Sequence, residues 1–427
     1  MTPRPPRYLV RALPLPVLFS LLCLACAGQT TFATNPTRFF LCDKGSGDLR
    51  GSLPDKTSGS GVTVLVGAAK GNNFALRTCQ AFLTWPGQQI EVAHKVAQAD
   101  IDVMGADLGL GSLVVAFQIK DTEDDPRIQY KIYSLSQPPQ LLRTITGEDY
   151  FSAADTRLDG SVEIWTTDAA AVNGFENLPR STFDFAPTVV LRFEQNKLID
   201  VSSEFRPHFD HQIKLLRAQL DAQQLSDFKQ SDGKLSDNKL AKLAAKDPLL
   251  ATKIKVLEIV WCYLYSGREQ EAWSALAEMW PAADLERIRT AMVNAQSRGL
   301  RSQVDGVSHK APPDQKKHSF VYRHIVPPQR PDIPPEVRAR LADTIPQRLV
   351  WMAAPPHNPE HWGEGREIEL VVDEAGKVRS VRMKEEKLKD EPNQDWIDAS
   401  AGWKYIPAFK DGHSSAFQWK SRVRRNR

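Results

Sequence analysis

A short loop in the first half of the chain carries carboxylates at a spacing that suits a hard cation. Asp155, Asp159 and Glu163 can supply oxygen ligands, and Gly160 permits the sharp turn that such a loop needs. Arg157 falls where a further carboxylate belongs, and its positive charge would oppose Ca²⁺. Two interpretations therefore stay open, a degenerate Ca²⁺ loop or a structural turn that binds no metal. No other cofactor is predicted.

A second segment has the spacing of a zinc site. His357-Asn-Pro-Glu-His361 matches His-x-x-Glu-His, in which two histidines on one helix hold the metal and the glutamate activates water. Pro355 and Pro356 precede the motif and Pro359 lies within it, so a helix of the required length is not expected. The chain also has no nucleophile elbow, phosphate-binding loop or dinucleotide fingerprint. We therefore predict a non-enzymatic protein, with a metallohydrolase as the alternative.

The acidic loop belongs to a β-rich region. Over residues 36–205, short runs of β-branched and aromatic residues alternate with turns that contain Gly and Asp, which predicts strands. The stretches 106–116 and 154–165 look related and begin 48 residues apart, about the length of one propeller blade. The second stretch resembles the calcium loop of FG-GAP/VCBS-type repeats. The prediction is an all-β domain, built either as a degenerate propeller or as a sandwich.

The period of the apolar residues changes after this region. Residues 206–297 are predicted to be helical, and 208–225 is predicted to form one amphipathic helix. The two helices that meet at Gly267 resemble a single tetratricopeptide unit over about 250–296. Residues 298–335 are rich in proline, which predicts an extended linker.

The last part of the chain has the most distinctive pattern. Ile368, Leu370 and Val372 alternate along a strand with one covered face, and a tight turn over 373–376 leads into a second strand. A short helix is predicted to end at Gly402, and a closing strand follows it.

Residues 366–422 resemble the C-terminal domain of TonB-type energy transducers. The shared pattern is Val-Asp-x-x-Gly-Lys-Val within 368–381 and Trp-Lys-Tyr-x-Pro-Ala-x-x-x-Gly at 403–412. The resemblance implies an α+β domain over 336–427 that binds short segments of outer-membrane proteins by adding them as strands. The accepting edge is expected in one of three segments, namely Glu367–Val372, Val378–Met383 and Ser415–Arg422.

The N-terminus has the features of a targeting segment. A basic start is followed by a short apolar stretch that prolines interrupt, which predicts a cleaved signal peptide over residues 1–27. Ala25-Cys-Ala27 fits ordinary cleavage, whereas Leu24-Ala-Cys26 resembles the end of a lipobox in which Cys26 is lipidated. Both interpretations stay open.

Export places the mature chain in a compartment that permits disulfides. Cys42 and Cys79 lie in the same β-rich region, and we predict that they pair. Cys262 lies in an apolar helix and is predicted to be a free buried thiol.

The overall composition limits the classes of partner. The formal net charge of +3, from 55 basic and 52 acidic residues, is too balanced to predict nucleic-acid binding. We predict a multidomain protein of the cell envelope, periplasmic or anchored to a membrane by lipid, that binds envelope or outer-membrane proteins by strand addition. Its domains are the all-β domain, the helical middle region and the C-terminal α+β TonB-like domain. The alternatives are a genuine energy transducer, or an envelope enzyme or glycan-binding protein that acts through the β domain.

Overall fold

A computed structural model gives the fold of the chain. It describes residues 49–52, 61–69, 78–235, 247–308, 310, 348–351, 366–383, 400, 402–410 and 413–423. All of these residues belong to one structural unit, Asn35–Arg427. None of the helices in the described ranges is both long and apolar enough to cross a membrane.

The first of three successive sheets is an antiparallel four-stranded meander with the order β1-β2-β3-β4. Its strands are β1 Leu49–Ser52, β2 Thr63–Ala68, β3 Cys79–Trp85 and β4 Gln88–Val96. Val64 and Val66 on β2, and Ala81 and Leu83 on β3, are fully buried, while the residues between them are not. This alternation arises because one face of the sheet packs on the core and the other faces solvent.

The second sheet is also a meander, with the order β5-β6-β7-β8. Its strands are β5 Gln98–Asp107, β6 Leu113–Lys120, β7 Ile128–Ser134 and β8 Leu141–Gly147. Along β5 and β6 every residue except those at the strand ends is buried. Both faces of these strands are therefore covered by other parts of the chain.

The third sheet contains a meander and one added strand, with the order β13-β12-β11-β10-β9. Its strands are β9 Phe151–Ala154, β10 Glu163–Thr167, β11 Thr188–Glu194, β12 Lys197–Asp200 and, much later in the chain, β13 Gly306–Val307. β13 pairs with β12 in the parallel direction, whereas the other pairs are antiparallel.

The three meanders repeat with a regular period. Their second strands begin at Thr63, Leu113 and Glu163, which are 50 residues apart. The two stretches that look related in sequence occupy equivalent places, because each joins the first strand of its meander to the second. The prediction of an all-β region with several sheets is confirmed. Four-stranded meanders are also the repeating unit of β-propellers.

Helices dominate the middle of the chain, as predicted. A short helix, α1 Ala169–Val172, already lies between β10 and β11 within the region predicted as all-β. The helices of the middle region are α2 Arg206–Ala218, α3 Ala222–Lys229, α4 Pro248–Tyr265, α5 Glu269–Met279 and α6 Leu285–Arg298. The prediction of one helix over 208–225 is wrong, since the chain breaks between α2 and α3. The side chain of Asp221 accepts a hydrogen bond from the N–H of Gln224 at 2.9 Å and so caps a new helix there.

Part of the predicted proline-rich linker is packed on the third and second sheets. Leu300–Gln303 forms a 3₁₀ turn and β13 follows it. The side chain of Gln303 accepts a hydrogen bond from the N–H of Thr146 at 2.9 Å and donates one to the carbonyl oxygen of Thr146 at 2.8 Å. The described residues 300–307 are thus part of the β region, and most of the remaining linker lies outside the described residues.

The C-terminal part forms three small sheets. Their strands are β14 Arg348–Trp351, β15 Arg366–Val372, β16 Val378–Met383, β17 Lys404–Ile406, β18 Ala408–Lys410, β19 His413–Ser415 and β20 Phe417–Val423. β14 pairs with β17, β18 pairs with β19, and the third sheet has the order β16-β15-β20. Ile368, Leu370 and Val372 are fully buried and Glu369 is half-buried, as the predicted alternation requires. Val371 is buried as well, so the alternation does not extend to the end of the strand. The predicted helix before Gly402 lies outside the described residues except for Ser400.

Candidate functional site

The three-stranded C-terminal sheet has one central strand and two outer strands. β15 pairs antiparallel with β16 on one side and with β20 on the other, from Arg366 opposite Val423 to Val372 opposite Phe417. Of the three segments predicted to contain the accepting edge, Glu367–Val372 is therefore the central strand. It has no free edge, which leaves β16 and β20.

The two outer strands differ in exposure. On β16, the four side chains from Val378 to Val381 are at most 5% exposed. The next residue of β16, Arg382, is exposed. On β20, Phe417 is fully buried, Gln418 and Trp419 are half-buried and Lys420 is exposed. Among the residues that the structure describes, no strand pairs with the outer side of β20. β20 is therefore the better placed of the two to accept another strand.

The two faces of β20 differ in chemistry. Phe417 and Trp419 lie on the face that packs against the apolar residues of β15. Gln418 and Lys420 lie on the opposite face beside Glu369, which accepts a hydrogen bond from the Gln418 amide and lies 3.9 Å from the Lys420 ammonium. An added strand would thus meet an aromatic surface on one side and a polar, partly charged surface on the other.

Two lysines of the C-terminal part make buried ion pairs with β5. The Lys404 Nζ donates to Oδ2 of Asp100 at 2.6 Å and to the carbonyl oxygen of Ile101 at 2.7 Å. Lys377 pairs with the carboxylate of Asp102 and also donates to its carbonyl oxygen at 2.7 Å. Because Asp100 and Asp102 are 4% and 2% exposed, these pairs hold the C-terminal part against the second sheet.

Apolar and polar contacts extend this junction. Ile406 on β17 belongs to the apolar cluster of the first and second sheets, and Ala375 in the hairpin turn belongs to the cluster of the second and third sheets. On β19, the Ser414 hydroxyl accepts a hydrogen bond from the N–H of Asp107 at 3.0 Å, and His413 lies 3.6 Å from its carboxylate. The C-terminal sheets are thus packed on the β region.

The turn of the β15–β16 hairpin is buried in this junction. Oδ2 of Asp373 accepts a hydrogen bond from the N–H of Asp155 at 3.0 Å, and the Arg379 guanidinium donates to the carbonyl oxygen of Thr156 at 3.5 Å. Gly376 has a φ of +79°, and a Cβ there would lie 1.9 Å from the carbonyl oxygen of Tyr405. The turn predicted from Asp373–Gly376 is therefore a contact surface, and position 376 has no room for a side chain.

The predicted calcium loop is held by a guanidinium group. Arg157 lies 2.9 Å from a carboxylate oxygen of Asp159, 3.1 Å from Glu163 and 3.3 Å from Glu204. A cation supplied by the chain therefore contacts two of the three acidic residues predicted to bind Ca²⁺. Within the described ranges, no group of three or more His, Cys, Asp or Glu residues is arranged to hold a metal ion.

The third acidic residue of the loop has a different role. Asp155 is fully buried, and its carboxylate accepts hydrogen bonds from the N–H groups of Asp159 at 3.1 Å and Gly160 at 2.7 Å. These bonds fix the loop without a metal. Burial raises the pKa of Glu163 to about 8 despite the nearby Arg157, because the carboxylate is removed from water.

The two related turns line one cleft. Its volume is about 560 Å³, and its walls include Asp107–Gly109, residues of the Arg157–Val162 loop, Arg192, Lys310 and His413. Arg192 is paired with Glu204 at 2.9 Å, and Arg157 is paired with the carboxylates of the acidic loop and of Glu204. The lining is thus largely charge-compensated by the chain itself.

Sequence reasoning missed the residues that join the two parts of the chain. Lys377 and Lys404 were visible only as members of the Gly-Lys-Val and Trp-Lys-Tyr motifs, and Asp100 and Asp102 belong to no motif of the sequence. The one available signal was the pair Asp100 and Asp102 near the start of a largely apolar segment. Unpaired carboxylates are costly to bury, so acidic residues in a buried strand predict cationic partners in another segment of the chain.

The remaining predicted site residues have separate outcomes. Cys79 does not carry a free thiol, but Cys42 lies outside the described residues and the pairing stays a prediction. Cys262 is free and buried, as predicted, and burial raises the pKa of its thiol. Cys26 and the segment from His357 to His361 also lie outside the described residues.

Comparison with known proteins found no matching family model, no matching curated protein and no matching solved structure. The resemblance to a TonB-type domain thus rests on the sequence motifs, and it stays a prediction.

Proposed function

We propose that the chain is an exported, non-enzymatic protein of the cell envelope that binds an extended segment of another envelope protein at the outer side of β20. The observation that carries this proposal is the position of β20 at the rim of an ordered sheet. Its outward N–H and C=O groups can pair with an incoming strand, which is the physical basis of β-augmentation. The TonB-like motifs of the sequence support the same mode of binding.

The two faces of β20 favour a particular kind of segment. Side chains of the added strand alternate between the sheet faces, so those on the Trp419 side favour apolar or aromatic residues. Those on the Lys420 side favour polar or acidic residues, because an opposite charge across a strand pair is stabilising. The proposed ligand is therefore an extended segment with alternating apolar and acidic or polar positions.

Binding is proposed for the whole protein and not for a separated C-terminal domain. In isolation that domain would lose the partners of Lys377 and Lys404 and expose Ile406 and Ala375, which are buried in the intact chain. The contacts with the β region involve β14, β17, β19 and the hairpin turn. β20 is the outer strand of its sheet on the side opposite β16. A segment can thus be added while the sheet stays docked.

The test places a photo-reactive amino acid in the full chain, expressed in cells with their own envelope. Position 420 on β20 is compared with position 382 on β16, since both side chains are exposed in the free protein. We expect a covalent adduct with an envelope protein from position 420 and little from position 382. Equal adducts at both positions, or none above background at position 420, would count against the proposal.

Proline substitution on β20 then identifies which backbone N–H groups bond to the added strand. Neighbouring residues of a strand point their N–H groups to opposite sides, and proline is tolerated at an edge only where the N–H faces outward. Each proline variant is compared with the alanine variant at the same position, because Trp419 also packs on the apolar residues of β15. Relative to these controls, one of Gln418→Pro and Trp419→Pro is expected to abolish the adduct without further loss of stability, and the other to lower stability through loss of pairing with β15. If both keep the adduct, strand addition at β20 is wrong.

A further inference from the structure

The turn of the β15–β16 hairpin fixes the direction of the backbone groups of β15. The N–H of Asp373 donates to the carbonyl oxygen of Lys377 at 2.9 Å, so it points toward the β16 side of the hairpin. Neighbouring residues of a strand point their N–H and C=O groups to opposite sides. The groups of Val372 therefore point toward β20, where Val372 lies opposite Phe417.

The same alternation along β20 identifies the residues with outward backbone groups. Phe417 and, two residues later, Trp419 point their N–H and C=O groups to β15, because they lie opposite Val372 and Leu370. Gln418 and Lys420 then point theirs to the outer side of the sheet. These two residues are the ones whose backbone groups can bond to an added strand.

Charged residues of alternating sign lie in one row across this sheet. Arg382 on β16 lies opposite Glu369 on β15, and Glu369 lies opposite Lys420 on β20. In the neighbouring row, Glu367 on β15 lies opposite Arg422 on β20. An added strand would place one residue at the next position of the first row, directly opposite Lys420.

The Lys420 ammonium is free to bind an additional carboxylate. Its side chain is 65% exposed, and it lies 3.9 Å from a carboxylate oxygen of Glu369. That oxygen accepts a hydrogen bond from the Gln418 amide, whereas the Lys420 ammonium donates none to any residue that the structure describes. An ammonium group has three donors, so those of Lys420 can serve a carboxylate on a neighbouring strand.

We propose that Lys420 determines the specificity of the β20 edge by selecting segments with an acidic residue directly opposite it. This inference rests on the proposed strand addition. Neighbouring strands lie about 5 Å apart, so the acidic residue would lie about 5 Å from the backbone of Lys420 and about 10 Å from that of Glu369. The Debye length at 0.1 M salt is about 10 Å, so the repulsion by Glu369 is screened more than the attraction by Lys420. A basic residue at the same position would be repelled.

The test measures binding of three labelled peptides to the full chain by fluorescence anisotropy at neutral pH. The peptides alternate valine with glutamate, with glutamine or with lysine, so every register places the same residue type opposite Lys420. An opposite charge across a strand pair is stabilising and a like charge is destabilising. We therefore expect affinity to fall from the glutamate to the glutamine to the lysine peptide, by about two- to fivefold at each step.

Charge reversal at position 420 tests the role of this residue directly. Lys420→Glu is expected to reverse the order of the three peptides. Lys410→Glu, at an exposed position of β18, changes the net charge of the chain equally and should keep the wild-type order. An unchanged order in Lys420→Glu, or a reversed order in Lys410→Glu, would overturn selection by Lys420.

Gln418→Pro separates failure of this inference from failure of strand addition. Because the N–H of Gln418 faces outward, proline is tolerated there but removes one bond to the added strand. If Gln418→Pro binds the peptides as well as Gln418→Ala does, strand addition at β20 is wrong, and selection by Lys420 with it. If only the proline variant loses binding and the wild type shows no order among the peptides, strand addition stands and selection by Lys420 is wrong. If the wild type binds none of the peptides, selection by Lys420 is also wrong, and the adduct at position 420 in cells decides strand addition separately.

Discussion

Removal of the Lys404 ammonium is expected to destabilise the junction strongly. Asp100 is 4% exposed, and its Oδ2 lies 2.6 Å from the Lys404 Nζ. Oδ1 accepts no hydrogen bond from any described residue. Lys404→Met would therefore leave a buried carboxylate without its cation.

The expected loss of unfolding free energy in Lys404→Met can be estimated from the burial of the ion pair. Breaking a buried pair by removing one partner costs about 3–5 kcal/mol, whereas an exposed pair contributes about 0.2–1 kcal/mol. The Lys404 side chain is 17% exposed, so we expect the lower end of the buried range, about 3 kcal/mol. With a urea m value of about 3 kcal/mol per M, this is a shift of the midpoint by roughly 1 M.

The assay is urea unfolding of the full chain at pH 7, with a double-mutant cycle that adds Asp100→Leu. Replacing both partners by apolar residues removes the uncompensated charge, so the double variant should recover most of the lost stability. The loss in Lys404→Met should also shrink toward pH 5, because burial raises the pKa of Asp100 and favours its neutral form.

Two results would refute this reasoning. If Lys404→Met lowers the free energy of unfolding by less than about 0.5 kcal/mol, the ion pair contributes no more than a solvated surface pair does. That result would mean that β17 does not pack on β5. A double variant no more stable than Lys404→Met would mean that the loss comes from something other than the charge of Asp100.

Three further predictions concern the hairpin turn and the acidic loop. In thermal unfolding, Gly376→Ala should lower stability several-fold more than Gly87→Ala. Both positions have positive φ, but only the Cβ at position 376 would meet a carbonyl oxygen. Similar losses of stability for the two variants would contradict the buried turn. Arg157→Met should lower stability more at pH 9, where most of the Glu163 carboxyl group is ionised and loses its cation, than at pH 5, where that group is protonated. The loss at pH 9 is expected to reach about 3 kcal/mol. Calorimetry should detect no micromolar Ca²⁺ binding to the wild type, and binding abolished by Asp159→Ala would reverse this interpretation.

Local patterns predicted the strands well. The alternation of Ile368, Leu370 and Val372, the need for glycine at position 376 and the relation between the two acidic turns are properties of short segments. Such patterns follow from the two-residue period of a strand and from the φ values that a turn requires. These features can therefore be predicted from a single sequence.

Contacts between distant segments were not predictable in this way. Lys377 and Asp102 are 275 residues apart, and nothing in either segment specifies the other. The break at Asp221 was missed because apolar spacing continues across it, and only the capping hydrogen bond ends one helix and starts the next. The accepting edge could not be chosen from sequence, since the order of strands in a sheet is a property of the whole fold.

The central claim is that β20 accepts a partner strand while the C-terminal sheet stays docked on the β region. Hydrogen exchange of the photo-crosslinked complex, compared with the free chain at the same pH, tests it most directly. We expect added protection at β20 amides and unchanged protection at β5 and β17. Added protection at β16 in place of β20, or loss of protection at β5, would contradict the claim.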